Sequence, residues 1–166
     1  MPRTPRSDLD PGLYHLTAKA NRRDRLFLAE RDRVMFLDLL AQVSRPETFL
    51  VRSYCLMGTH YHLLVETQAA EVSDAMRDLN GIYPKRFNKE HGFRGHVFEK
   101  RFDAEAISDE AHLLEVVRYV ALNPVRAVLG SGARPVVPGC VVDASTLLEE
   151  RQGSQATALE LRLFRH

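Results

Sequence analysis

Tyr54-Cys55-Leu56-Met57-Gly58-Thr59-His60-Tyr61-His62-Leu63-Leu64-Val65-Glu66 is the stretch around which the chain is organised. It is rich in apolar and aromatic residues and is broken once, at Gly58-Thr59. Two such runs joined by a tight break read as paired strands, here over 49–57 and 60–67. Side chains alternate between the faces of a strand, so His60 and His62 share one face and Tyr61 points to the other. Two imidazoles side by side in an apolar strand point to a metal pair. The competing reading makes one histidine a surface residue and the other a hydrogen-bonded edge residue. Partners elsewhere in the chain decide between them.

Working outward, residues 1–11 hold three prolines and read as an arm. Leu13 to Ala20 alternates, with Tyr14, Leu16, Ala18 and Ala20 on one face and His15, Thr17 and Lys19 on the other, as in a strand with one buried face. Asn21 to Arg25 is a basic loop. Glu30 to Ser44 has a helical stripe of Phe36, Leu40 and Val43 and ends before Arg45-Pro46. Val72 to Lys89 places Val72, Met76, Leu79, Tyr83 and Phe87 on a 3.6-residue period, and Pro84 is expected to kink or split this helix. Gly95 to Ile107 reads as extended. Ser108 or Asp109 then caps a helix that runs to about Asn123, where Pro124 is expected to stop it.

The order β-α-β-β-α-β-α predicts an α+β fold: a ferredoxin-like antiparallel sheet with helices packed on one face, plus a short C-terminal tail. The main domain is expected to cover 1–130. The tail, 131–166, is expected to be irregular, with short helices near 143–150 and 156–164.

The chain has 166 residues, of which 45% are hydrophobic and 27% charged, which fits one globular domain with a proper core. No apolar run approaches the ~20 residues needed to cross a bilayer, so no membrane partner is expected. The N-terminus lacks the apolar segment of a signal peptide, and Cys55 and Cys140 make no metal-spacing motif. These features together predict a cytoplasmic protein. A net charge of +1 selects no partner, but its distribution is uneven. Between Lys85 and Arg101 lie six Lys/Arg and two acids, interleaved with aromatics that include Phe87, Phe93 and Phe98, and Arg22-Arg23-Asp24-Arg25 forms a second cluster. Basic residues mixed with aromatics can track a nucleic-acid backbone and stack bases; the alternative is a solvated surface over a buried Phe stripe.

On the last predicted helix, Leu113, Val116, Val117 and Val120 form the buried stripe. Tyr119 and Asn123, four residues apart, lie on one face away from part of it. Two strand histidines plus one Asn oxygen make an unsaturated divalent-metal site suited to magnesium or manganese, and acceptable to zinc or nickel. Free Tyr has a pKa near ~10 and is a weak nucleophile at neutral pH. A metal that polarises a phosphodiester would lower the barrier for its attack.

Gly12-Leu13-Tyr14-His15-Leu16-Thr17-Ala18, Tyr54-Cys55-Leu56-Met57 leading to His60-Tyr61-His62-Leu63-Leu64-Val65-Glu66-Thr67, Phe87-Asn88-x-x-His91-Gly92, Gly95-His96-Val97-Phe98-x-x-Arg101-Phe102 and Arg118-Tyr119-Val120-x-Leu122-Asn123-Pro124-Val125-Arg126-Ala127 together resemble the single-tyrosine HUH transposases of bacterial insertion sequences, above all the REP-associated tyrosine transposases. The resemblance covers about residues 2 to 130. It implies His60 and His62 as the metal pair, Asn123 as a third ligand and Tyr119 as the nucleophile. It implies cleavage of single-stranded DNA near an imperfect hairpin, with a 5′-phosphotyrosyl link, a free 3′-hydroxyl and a requirement for Mg2+ or Mn2+. It also implies a monomer in preference to a dimer and a place at the nucleoid. From charge and position alone, Arg22, Arg94, Lys100, Arg101 and Arg126 are candidates for holding DNA phosphates, and His15 and Lys19 for lining the cleft.

The chain departs from the family in three ways. Gly58-Thr59 stands where relatives carry Pro and a polar residue. Pro84 interrupts a helix that relatives run through, and Tyr83 beside it is a rival nucleophile. The tail lacks the relatives' Trp-Ser-Ser segment, for the chain has no Trp. Two other functions fit the pattern: a domesticated hairpin-DNA-binding protein that does not cleave, and a ferredoxin-like RNA-binding module. The second would carry exposed aromatics where this central strand carries a histidine pair.

Overall fold

Gly58 and Thr59 do turn the chain back on itself: the Met57 amide donates to the His60 carbonyl at 2.8 Å, closing a short hairpin. The computed structural model describes residues 10–21, 25–45, 49–67, 72–131 and 140–142. In chain order its elements are β1 (Gly12–Lys19), α1 (Glu30–Val43), β2 (Phe49–Leu56), β3 (His60–Thr67), α2 (Val72–His91), β4 (Asp103–Ala106), α3 (Glu110–Ser131) and β5 (Cys140–Val142). The strands form one sheet in the order β4-β1-β3-β2-β5, antiparallel throughout. The first four strands, with α1 crossing from β1 to β2 and α2 from β3 to β4, have the ferredoxin-like order. The α+β antiparallel fold read from the sequence is therefore borne out.

The helices divide between the two faces. Leu16 and Ala18 of β1 and Tyr61, Leu63 and Val65 of β3 pack against Phe36, Leu39 and Leu40 of α1 and Met76, Leu79 and Tyr83 of α2. The alternate residues, Leu13 of β1, Cys55 of β2 and Leu64 of β3, pack under Leu113, Val116, Val117 and Val120 of α3. The sequence pattern places all helices on one face; in the structure α3 covers the other. The reason lies in β3, where Tyr61 to Val65 are all buried, and a strand buried on both sides needs a layer on each. Truncating a ring such as Phe36, fully buried here, costs roughly 3–5 kcal/mol.

Asp32 ties the first face together. Its Oδ2 accepts from the amides of Leu28 and Ala29, each at 2.8 Å, and so satisfies donors at the start of α1. Its Oδ1 lies 2.8 Å from Nε2 of His91 in the last turn of α2. Pro84 neither splits nor ends α2, which is helical from Val72 to His91. The ring removes one donor, while Met76, Leu79, Tyr83 and Phe87 bury their side chains on both sides of it and hold the helix down. Asp109 caps α3 by accepting from the His112 amide at 2.8 Å. The helix passes Pro124, the expected stop, and ends at Ser131.

Between α2 and α3 the extended prediction narrows to β4 and a single bridge, Ala20 to Phe98. β5 is an element the sequence reading lacked. It adds to the free edge of β2, with Cys140 opposite Cys55. The predicted helices at 143–150 and 156–164 lie outside the described residues.

Candidate active site under the third helix

The side of the sheet beneath α3 carries the polar residues. Register sets Lys19 opposite His60, and Thr17 opposite His62, across β1 and β3. On the other side of β1, Glu105 of β4 faces His15. His60 and His62 project from the same face, their rings nearly perpendicular with centroids 4.9 Å apart. The Nδ1 of His60 lies 3.0 Å from the Thr59 hydroxyl, and the Nδ1 of His62 lies 3.0 Å from Nε2 of His15. In both rings Nε2 is thus the nitrogen turned away from these contacts.

Burial sets the charge state of the site. Desolvation pushes the His62 pKa down to about 3, helped by the neighbouring His60, His15 and Lys19. Desolvation and then Lys19 lower that of His60. His15 is lowered by desolvation, partly offset by Glu105. At neutral pH all three imidazoles are uncharged and each carries a lone pair, the form in which histidine binds a metal.

Tyr119 comes to this cluster from α3. Val116, Val117 and Val120 seat the helix on the sheet, and Tyr119 stands on its open shoulder. Its ring meets His62 edge-on at 5.4 Å and His15 at 6.4 Å, centroid to centroid. The chain has five tyrosines. Tyr14, Tyr54, Tyr61 and Tyr83 are at most 8% exposed, whereas Tyr119 is 41% exposed. The rival Tyr83 is sealed in the α1–α2 core, where its hydroxyl donates to the Leu26 carbonyl and burial raises its pKa. Tyr61 packs against Phe36 and donates to Asn80 at 3.0 Å. Asn123 follows Tyr119 by one turn in the α3 backbone, and its side chain lies outside the described residues.

The two strand histidines are a fit for a divalent cation that keeps open positions. They are neutral, adjacent and on one face, next to an accessible phenol. Among the described residues no group of three His, Cys, Asp or Glu side chains is placed to hold a metal ion.

The candidates for DNA contact divide. Arg94, Arg101 and Lys19 are exposed. Lys100 is engaged with Asp103 at 2.7 Å. His15 is buried, 8% exposed, and belongs to the histidine cluster instead of an open cleft wall. Arg126 lies on α3 with its side chain outside the described residues, as is the whole of Arg22. Of the aromatics interleaved with the basic run, Phe87 and Phe102 are core residues and Phe93 is 52% exposed. Phe93 stacks on His91 at 5.8 Å and 27°, and His91 in turn meets Phe87 at 4.6 Å. Glu105 and His112 were not singled out from sequence. Glu105 sits two residues into β4, opposite His15, a placement visible only once β4 is paired.

No curated protein matches the chain. Among solved structures, a REP-associated tyrosine transposase bound to a REP hairpin superimposes with a TM-score of 0.60 at 22% identity, covering 76% of this chain and 74% of that one. This likeness establishes the fold. A Deinococcus radiodurans protein assigned as a transposase aligns at 17% identity and a TM-score of 0.49, covering 72% of this chain and 95% of that one. No helix among the described residues is long and apolar enough to cross a membrane. The family model for IS200-like transposases matches residues 11–123, from the start of the sheet to Asn123 on α3, and the chain therefore belongs to the IS200-like transposase family.

Proposed function

We propose that this transposase cuts and rejoins single-stranded DNA with Tyr119 as its nucleophile. The carrying observation is that the one accessible tyrosine of the chain stands edge-on to His62, at the paired histidines of β3. Tyr119 Oη attacks a backbone phosphorus, a Tyr–O–P bond forms, and the P–O3′ bond breaks. The DNA is left with a 5′-phosphotyrosyl link and a 3′-hydroxyl. The proton lost by the phenol is balanced by the one the departing 3′-oxygen takes up. Bond energy is kept in the phosphotyrosyl ester, so the reverse attack by a 3′-hydroxyl rejoins a strand.

His60 and His62, with Asn123, are the residues that would hold a magnesium or manganese ion. Such an ion supplies charge neutralisation at the phosphate and a template for the attack. The protein's own part is to keep both imidazoles neutral, fix their orientation by the β1–β3 register, and hold the phenol beside them on a rigid helix. Lys19, beside His60, adds a positive charge at the phosphate.

The substrate read here is hairpin-bearing single-stranded DNA. Support comes from the family, from the superimposing transposase whose structure holds a REP hairpin, and from the exposed Arg94, Arg101 and Phe93. The test is a labelled single-stranded hairpin incubated with protein and Mn2+, then run on a denaturing gel. A covalent adduct is expected, and it disappears in Tyr119→Phe. An adduct that survives Tyr119→Phe but not Tyr83→Phe rejects this nucleophile. Hairpin binding with no adduct favours a domesticated binding protein.

A further inference from the structure

His15 is a strand residue with a hydrogen-bond partner at one ring nitrogen and a carboxylate near the other. Its Nε2 lies 3.0 Å from His62 Nδ1, and the two rings stack with centroids 5.1 Å apart and planes 18° apart. Its Nδ1 lies 3.8 Å from Glu105 Oε2. The other carboxylate oxygen of Glu105 is 3.7 Å from His112 Nε2 on α3. Strand register builds this line. Glu105 is directly opposite His15 on one side of β1, and His62 is one diagonal step away on the other.

A neutral imidazole has one N–H and one lone pair. Where two neutral imidazoles meet nitrogen to nitrogen, one must donate and the other accept. The negative charge of Glu105, 3.8 Å from Nδ1, favours the His15 proton on that nitrogen over a bare lone pair facing it. His15 Nε2 is then an acceptor, and His62 must donate from Nδ1. That leaves the lone pair of His62 on Nε2. The opposite arrangement, with His15 donating from Nε2, would put the His62 proton on Nε2 and block that nitrogen as a ligand.

We propose that Glu105 and His15 are positioning residues, a carboxylate–imidazole relay that fixes the tautomer and ring orientation of His62 so that its Nε2 is the metal-binding atom. This rests on the reading of His62 as a ligand. Outer partners of this kind hold a ligand's ring in place and typically change metal affinity by about 10- to 100-fold when removed.

The tautomer can be read without metal or DNA. Long-range 1H–15N correlation spectra of the metal-free protein at neutral pH distinguish Nδ1–H from Nε2–H imidazole. His62 is expected as the Nδ1–H form. In Glu105→Gln the amide N–H can donate to His15 Nδ1, so the relay reverses and the Nε2–H form of His62 appears. Mn2+ affinity by titration calorimetry is expected to fall about 10- to 100-fold in His15→Phe and more modestly in Glu105→Gln. Glu105 is 64% exposed at its side chain, so its variant keeps the fold even where His15→Phe does not. An Nε2–H His62 in the unaltered protein, or Mn2+ affinity unchanged in both variants, overturns the proposal. An unaltered protein with the expected tautomer and no affinity for Mn2+ instead overturns the metal reading beneath it, and the positioning role with it.

Discussion

The ring of Tyr119 meets that of His62 at right angles, centroids 5.4 Å apart, across the gap between α3 and β3. Removing the phenol oxygen keeps this contact and deletes the nucleophile. Tyr119→Phe is therefore expected to reduce strand cleavage by at least about 10^3-fold while hairpin affinity stays within about twofold. Gel quantification of adduct and a separate binding titration check the two halves. Loss of binding in parallel with cleavage would mean the hydroxyl serves the substrate and not the chemistry.

Asp32 is fully buried and accepts from two amides and the His91 ring. Asp32→Ala strands the Leu28 and Ala29 donors and unties α1 from α2. A cost of about 3–5 kcal/mol is expected, enough to lower the melting temperature by some 10 °C or more in a domain of this size. Differential scanning calorimetry measures it, and a shift under about 2 °C would show the clasp to be dispensable.

Acid should destabilise the metal-free protein in two windows. His62 is held down to about 3 from 6.5 by desolvation first, and by the neighbouring His60, His15 and Lys19. The unfolded chain therefore takes up this proton as pH falls below 6.5 while the folded chain does not, and stability falls until about pH 3. His60 and His15, lowered in the same direction, add to the slope. Burial would raise the Asp32 pKa, but the hydrogen bonds from His91, Ala29 and Leu28 outweigh it and hold it below 3.8. Its contribution is present above that pH and is lost as pH falls through the lower folded value. Urea midpoints between pH 7 and pH 4 in the presence of a chelator follow the first window. His62→Asn should flatten the slope there, and an unchanged slope would contradict the burial argument.

Phe93 is exposed, stacked on His91 and followed by Arg94. An unpaired base could stack on its free face, an interaction worth about 1–3 kcal/mol per base. Phe93→Ala is expected to weaken single-stranded DNA binding by roughly 5- to 100-fold, with the melting temperature unmoved. Phe93→Trp should retain affinity. Fluorescence anisotropy with a labelled oligonucleotide decides, and equal affinity in the alanine variant would leave Phe93 a surface residue only.

How far the chain could be read in one dimension depended on whether the signal was local. The hairpin at Gly58-Thr59, the period-2 alternation of β1, and the 3.6-residue stripes of α1, α2 and α3 are properties of neighbouring residues, and each element was legible. His60 and His62 share a face because strands alternate, and Tyr119 and Asn123 share one because helices turn in 3.6 residues. Where proline was expected to break α2, a local rule met tertiary packing: one missing hydrogen bond weighs less than a buried stripe on both sides of Pro84.

What the sequence determined by itself is the order of the first four strands and three helices, and the motifs that carry the family resemblance. Tertiary structure alone decided which elements meet. Pairing β1 with both β3 and β4 turns His15 from a cleft residue into the partner of His62 and brings Glu105 to its other side, across 47 and 90 residues of chain respectively. Packing α3 on the face opposite α1 and α2 sets Tyr119 over the histidines and leaves it the only accessible tyrosine. The physical reason is that periodicity reports which side of an element is apolar, while the identity of the layer that covers that side is fixed by contacts between residues far apart in the chain.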